Sequence, residues 1–318
     1  MSNSEAESIN EDEKKSQTVD FNTANRIQNK VLRRSEVMKQ KNLKTKIKKA
    51  ERKKRRMAGE PKNIPKTIDN MREKDDTMIV TMEEEDKKEL NLEIANDELS
   101  EYFQKAYEPK VLITFSDNPH PKCRIFGREL CRVIPNSVNL YRNRSGVKKI
   151  VKNSIANDFT DVIIINEDKR EPNGMLLIHL PNGPTAHFRL SNVKLTPDLK
   201  RSHKDISTHR PEVILNNFST HLGTTVARML AAIFHYEPEF KGRRAVTFHN
   251  QRDYIFFRHH RYEFTPNGKA RLRELGPRFT LKLRSLQHGT FDSKTGEYEW
   301  IITDKRHEME TSRRKFFL

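Results

Sequence analysis

The sequence predicts a mixed α/β (α+β) domain built from two similar halves, preceded by a long charged extension. Three observations lead there. The chain has 318 residues, a net charge of +17, 34% hydrophobic residues and a mean hydropathy of −0.88, which is too polar for a chain packed throughout. From Lys110 onward, β-branched runs alternate with helical patterns. Two short stretches also recur in the same order: "PKVLITFS" (109–116) returns as "PEVILNNFS" (211–219), and "GPTAHFRL" (183–190) returns as "GPRFTLKL" (276–283). Recurrence in order is the mark of a duplicated unit.

Charge divides the chain. Residues 1–25 carry 2 Lys/Arg against 6 Asp/Glu, residues 26–56 carry 15 against 2, residues 57–108 carry 7 against 15, and residues 109–318 keep 37 against 21. The folded part is therefore basic in its own right, and a basic field of this size favours polyanions through counterion release and steering. Nucleic acid leads; a membrane partner is not expected, because no amphipathic helix has a large apolar face and no run reaches transmembrane length. "MSNSEAESINEDEKK" lacks the apolar core of a signal peptide. Cys123 and Cys131 have no zinc spacing and form no disulfide framework. An intracellular, reducing setting is expected.

Residues 1–25 read as a disordered acidic tail. Residues 26–56 form a basic arm without Gly or Pro, expected to be disordered alone and ordered on an anionic partner. Its cluster Lys48, Lys49, Arg52, Lys53, Lys54, Arg55 and Arg56 suits nuclear targeting and RNA contact. Residues 57–107 read as a Pro-containing connector and a solvated acidic linker, with a short helix within 97–107. The domain spans 108–303, in halves of about 108–200 and 211–303, and a basic tail follows at 304–318.

Within the domain, "KVLITFS" is a strand and "PHPKCRIFGRELCRVIP" a helix opened by proline. "SVNLYR" is a short strand, and "SGVKKIVKNSIANDF" is a helix capped by Ser145. "DVIIINED" is a buried central strand. "GMLLIHLPNGPTAHFRLSNVKL" is two strands joined at "PNGP". In the second half, "HLGTTVARMLAAIF" is a helix with Leu222, Val226, Leu230 and Ile233 on one face. "RAVTFHN" and "DYIFFRHHRYEF" are strands, and "ARLRELG" is a short helix.

The second copy of the echo carries the leading binding candidate. Alternation puts Phe279, Leu281 and Leu283 on one face and Arg278, Thr280, Lys282 and Arg284 on the other. Cations two residues apart on one strand face lie about 7 Å from each other, close to the phosphate repeat of a nucleic-acid strand. The competing reading is an edge strand guarded by charge. Arg142, Arg144, Lys148, Lys149 and Lys152 surround a helix start, where backbone N–H groups favour phosphate. Arg243, Arg244, Arg258 and Arg261 interleave with Phe256, Phe257 and Tyr262, a mixture that suits phosphate and base contacts. Many of those aromatics fit the core better, because they alternate as strand residues should. His259 and His260 point to opposite faces of a strand and do not form a metal site. There is no P-loop, G-x-S-x-G, H-E-x-x-H or dinucleotide fingerprint, so no catalytic set, metal, cofactor or small-molecule ligand is expected. An RNA-processing enzyme such as a nuclease, and a DNA-binding protein, remain as alternatives.

"PKVLITFSDNPHP", "DVIIINEDKREPNGMLLIHLPNGPTAHFRLSNVKL", "RRAVTFHNQRDYIFFRHHRYEF" and "LGPRFTLKLRSLQHGTFD" together resemble the Brix-domain family of ribosome assembly factors. The last resembles its C-terminal signature, a "GPRF…L" strand followed by "G-T-F". The resemblance implies a duplicated α/β domain whose halves are similar to the anticodon-binding domain of class II aminoacyl-tRNA synthetases. It implies a non-catalytic scaffold that binds precursor ribosomal RNA in the nucleolus, within the nucleus, together with a dedicated protein partner and other assembly factors. The large-subunit precursor is the implied target, and the small-subunit precursor is the alternative within the family. No residue role is carried over from the family.

Overall fold

The computed structural model describes residues 27–59, 64–73, 77–79, 82–199, 206–302 and 315–318. The expected acidic tail and most of the expected basic tail lie outside them. The chain forms two compact units, Met1–Lys66 and Thr67–Leu318.

Among its described residues the first unit holds one long helix, α1 (Lys30–Met57), where the sequence reading expected disorder alone and order on an anionic partner. Its start is closed by Asn29, whose side chain accepts from Val31 N at 2.9 Å and Leu32 N at 3.4 Å, a cap the sequence reading overlooked. Lys54, Arg55 and Arg56 occupy the last turn, where cations oppose the negative end of the helix dipole. No residue of α1 is buried.

The second unit is a mixed sheet of eleven strands with helices on both faces. It opens with α2 (Glu84–Asn96) and α3 (Ser100–Phe103). The first half then runs β1 (Val111–Phe115), α4 (Pro121–Val133), β2 (Ser137–Asn139), α5 (Val147–Ala156), β3 (Asp161–Asp168), β4 (Glu171–His179) and β5 (Thr185–Lys194). The second runs β6 (Glu212–Asn216), α6 (His221–Ala232), β7 (Arg244–Gln251), β8 (Tyr254–Phe264), β9 (Ala270–Glu274), β10 (Arg278–Gln287) and β11 (Tyr298–Ile301). The strand order is β2-β1-β3-β4-β5-β10-β8-β7-β6, with β11 beside β10 and β9 beside β8.

This order is a duplication written in hydrogen bonds. β1 runs parallel to β3, and β4 and β5 follow antiparallel. β6 runs parallel to β7, and β8 and β10 follow antiparallel. The halves join where β5 and β10 pair antiparallel, with Lys282 opposite Arg189 and Leu281 opposite Leu190. Arg189 and Lys282 are also equivalent positions of the echoed "GP…L" stretch, so the local two-fold passes between them. The equivalent glycines, Gly183 and Gly276, both take positive φ, at 98° and 81°.

One core face is covered by α4 and α6 and includes Phe115, Phe126, Phe188, Phe257, Phe279, Leu281, Leu283 and Leu230. Phe257 and Phe279 stack with centroids 4.3 Å apart, and Phe126 meets Phe279 edge-on at 5.4 Å. Burying one such side chain contributes about 1.5–3 kcal/mol. The opposite face is apolar only in the first half, where Ile150 and Val151 of α5 cover Leu112, Val162, Ile164 and Ile178. The second half has no counterpart of β2 and α5. Between α6 and β7 it holds only a single 3-10 turn, Phe240–Gly242.

Four expectations are corrected. α5 begins on Gly146, with no side-chain cap from Ser145. "ARLRELG" forms strand β9, paired with β8 from His260↔Glu274 to Phe264↔Ala270, because a short helix gains little alone while a hairpin partner supplies a full ladder. The 57–107 segment is a solvated linker only in part. Leu90, Leu99 and Tyr102 are buried, and Tyr102 Oη donates to Ala231 O at 3.0 Å and Phe234 O at 2.9 Å at the end of α6. Lastly, Lys315–Leu318 dock instead of trailing as a tail. Leu318 is buried, and Asp253 Oδ1 accepts from Phe317 N at 2.8 Å and Leu318 N at 2.9 Å.

Candidate nucleic-acid interface

The face that α5 covers in the first half continues across β5, β10, β8 and β7 with a different chemistry. Leu176, packed beneath α5, pairs across β4–β5 with His187, and Gly174 pairs with Arg189. Arg189 faces Lys282 on β10. Register then carries the row to Tyr254 on β8, where Lys282 Nζ lies 5.0 Å from the ring centroid. A second row runs Ser191, Thr280, Phe256, His249. Beside it, Arg258 pairs with Thr247, and its guanidinium lies 5.9 Å from the Phe256 ring. Cations and aromatic rings thus alternate over the face left without a helix.

The expected row Arg278, Lys282, Arg284 is only partly realised. β10 lies between β5 and β8 in the sheet, so its charges do not guard an edge. Phe279, Leu281 and Leu283 are buried as predicted. Register shifts at Arg278/Thr280 and Leu283/Ser285 break the row at both ends. Arg278 is held by both oxygens of Glu274, one contact at 2.7 Å, and Arg258 lies 3.9 Å from the same carboxylate. Burial alone would raise the Glu274 carboxyl, but the Arg278 hydrogen bonds and the charges of Arg278 and Arg258 outweigh it and hold the pKa below its ordinary value. Burial lowers the His260 pKa; Glu274 pulls it up, while Arg258 and Arg278 push it down further. The ring is therefore neutral at neutral pH.

Lys149 and Lys152 are exposed on α5, on the same side of the sheet. Lys148 on that helix pairs with Asp292 at 2.9 Å. Arg142 and Arg144 lie apart, in the loop after edge strand β2. Arg243 and Arg261 are exposed near the start of β7 and the far part of β8, and Arg261 shares the alternation phase of buried Phe257 and His259.

Arg244 is overturned as a binding residue. It is 3% exposed, and its guanidinium donates to Ser207 O at 2.6 Å, His209 O at 2.7 Å, Arg132 O at 3.0 Å and His259 Nε2 at 3.2 Å. Burial lowers its pKa to about 10. It ties the second half to the end of α4, and its hydrogen-bonding capacity is already used. The sequence reading also missed Arg189 and Tyr254. Arg189 was legible, since the echo puts it where Lys282 stands in the second copy. Tyr254 could be placed only with the β8–β10 register.

Among the described residues no group of three or more His, Cys, Asp or Glu is arranged to hold a metal ion, and no helix is long and apolar enough to cross a membrane. Cys123 and Cys131 are free thiols on α4.

Comparison with known proteins places this architecture. A family model described as the Brix domain matches residues 116–285. A "Probable ribosome production factor 1" of Drosophila melanogaster is 62% identical over 306 residues, 96% of this chain and 77% of that protein. The "Ribosome production factor 1" of Xenopus laevis is 54% identical over 258 residues, 81% of this chain and 74% of that protein. A Brix domain-containing protein of Schizosaccharomyces pombe is 40% identical over 313 residues, 92% of this chain and 99% of that protein. With the family model covering more than half of the sequence and these identities running through most of its length, the chain belongs to the Brix-domain family.

Proposed function

We propose that the protein is a non-catalytic ribosome assembly factor that binds precursor ribosomal RNA of the large subunit in the nucleolus. The observation that carries the RNA reading is the sheet face of the second half. Where the first half buries apolar residues beneath α5, the second presents Lys282, Arg284 and Arg258 among Tyr254 and Phe256, and Arg189 on β5 of the first half lies beside Lys282 at the seam. Cations track phosphates, and aromatic faces accept bases without sequence preference. Lys149 and Lys152 extend the same side. The cluster at Lys48–Arg56 on exposed α1 supports nuclear delivery and a second RNA contact. The ribosome-production names of the relatives support the assembly role. The β8–β9 hairpin, with Phe264 70% and Leu272 63% exposed, supports contact with a protein partner among other assembly factors.

The test is binding of the full chain to structured precursor RNA fragments, compared with duplex DNA, across a salt titration. Lys282→Glu with Arg284→Glu should weaken RNA binding at least tenfold while the melting temperature stays close to wild type. Unchanged affinity would remove this face from the interface, and reproducible metal-dependent cleavage by purified protein would replace a scaffold with an enzyme.

A further inference from the structure

The connections of the first half create a second place where a ligand fits. From β1 the chain passes through α4 to β2, on one side of β1; from β2 it passes through α5 to β3, on the other side. α4 packs into the core cluster of one sheet face and α5 into that of the opposite face. The loops that leave the carboxyl ends of the adjacent parallel strands β1 and β2 therefore diverge. A crevice between diverging loops is where open α/β sheets bind ligands. Here it is a cleft of about 420 Å³, within the range of about 300–1,000 Å³ typical of small-ligand sites.

Its lining is chemically selective. Ser116–Pro119 form one wall and Tyr141–Arg144 the other, with Arg124 reaching in from α4. Tyr141 is 54% exposed, stacks on buried Phe115 with centroids 5.9 Å apart, and has the Arg124 guanidinium 5.5 Å from its ring. Arg124 is held there because its Nε donates to Pro119 O at 2.7 Å. Arg142 is positioned by its Nε bond to Ser145 O and by Asp117 at 3.8 Å, while Arg144 stands exposed at a left-handed backbone position, φ 60°. Three guanidinium groups, one carboxylate and a backed aromatic ring make a mixed site. A bare phosphate would have no use for the ring and would be opposed by Asp117. An apolar ligand would have no use for the arginines.

We propose that this cleft holds one unpaired nucleotide of RNA. The base stacks on the Tyr141–Arg124 wall, the flanking phosphates lie against Arg142 and Arg144, and Asp117 accepts a hydrogen bond from the ribose 2′-hydroxyl. That last contact separates RNA from DNA. The inference rests on the RNA-binding reading above and adds a distinct site at the opposite end of the sheet from β6.

The experiment uses the full chain and an RNA hairpin carrying one unpaired 2-aminopurine. Controls are the same hairpin with a 2′-deoxy residue at that position, a fully paired hairpin, and free AMP. Wild-type protein should quench the 2-aminopurine and bind the bulged hairpin more tightly than the paired or 2′-deoxy forms. Tyr141→Ala should abolish the quenching and weaken bulged-hairpin binding by about 5- to 100-fold, leaving the paired hairpin unaffected; Tyr141→Phe should retain both. Asp117→Ala should erase the preference over the 2′-deoxy form. Bulged-hairpin binding unchanged in Tyr141→Ala, while the Lys282/Arg284 reversal still weakens it, would overturn the cleft and leave the parent reading standing. Loss of all RNA binding in wild-type protein would overturn both. Binding of AMP in the cleft with RNA affinity indifferent to Tyr141 would assign it to a free nucleotide and overturn the RNA site.

Discussion

Arg244 and His259 show how a residue-scale reading of charge turns into a statement about stability. His259 is fully buried, its Nδ1 lies 2.8 Å from Gly276 O, and its Nε2 accepts from Arg244 Nε at 3.2 Å. The neutral ring with its proton on Nδ1 satisfies both neighbours. A second proton on Nε2 would face the Arg244 N–H. Burial, then the Arg244 charge, lowers the His259 pKa to about 3. Between pH 6.5 and 3 the unfolded chain therefore binds a proton that the folded chain refuses, so stability falls as pH falls through that window, at about 1.4 kcal/mol per unit for this one group at full effect. Urea unfolding at pH 7, 6 and 5 should show the decline, and His259→Asn should flatten it. Arg244→Ala should lose about 3 kcal/mol or more at pH 7, since the carbonyls of Ser207, His209 and Arg132 and the buried His259 ring lose their donor together. A loss under 1 kcal/mol would return Arg244 to the list of surface cations. In one dimension Arg244 looks like Arg243 or Arg258; only the carbonyls converging from Arg132, Ser207 and His209 separate them, and these come from distant parts of the chain.

At the scale of elements, what was legible followed from local pattern. The buried faces of α6 and β10 were readable from period, the burial of β3 from its continuous apolar run, and the duplicated order from the two echoes. β9 was not, because "ARLRELG" has helical propensity and its strand state comes from the β8 ladder. The echoed Gly-Pro turns carry a test of the duplication's limits. Gly183 and Gly276 share a positive φ, but their neighbours differ. A Cβ on Gly183 would fall 2.4 Å from the backbone of Gly289, whereas one on Gly276 would meet Leu199 Cδ1 and Thr196 Oγ1, each at 2.9 Å. Backbone cannot step aside as a side-chain end can. Both alanine variants carry a backbone penalty of about 1 kcal/mol or more, and Gly183→Ala should be the more damaging by about 1–2 kcal/mol through overpacking. Equal losses in chemical denaturation would mean that the Gly289 turn yields freely.

For the whole molecule, the sequence made the α/β class, the two halves and the basic field readable. The asymmetry between the halves was not readable, and the candidate interface depends on it. One sheet face is roofed by α5 in the first half and left to cations and rings in the second, a contrast visible only when all strands are placed together. Two charged regions can then contribute to RNA affinity, the sheet face and α1, and salt dependence separates them. Each phosphate neutralised contributes about 0.7–0.9 to the slope of log affinity against log salt. Lys282→Glu with Arg284→Glu should therefore lower the slope magnitude by about 2 at most. Changing Lys48, Lys49, Arg52, Lys53, Lys54, Arg55 and Arg56 to Gln should lower it by up to about 5–6 if all seven engage phosphate. α1 buries no residue, so the second variant should melt with wild type; it should also lose nuclear accumulation in cells. If each set engages its own phosphates, their effects on the slope should add in the combined variant. An unchanged slope after the seven substitutions would remove α1 from the RNA contact and leave it the proposed targeting role alone.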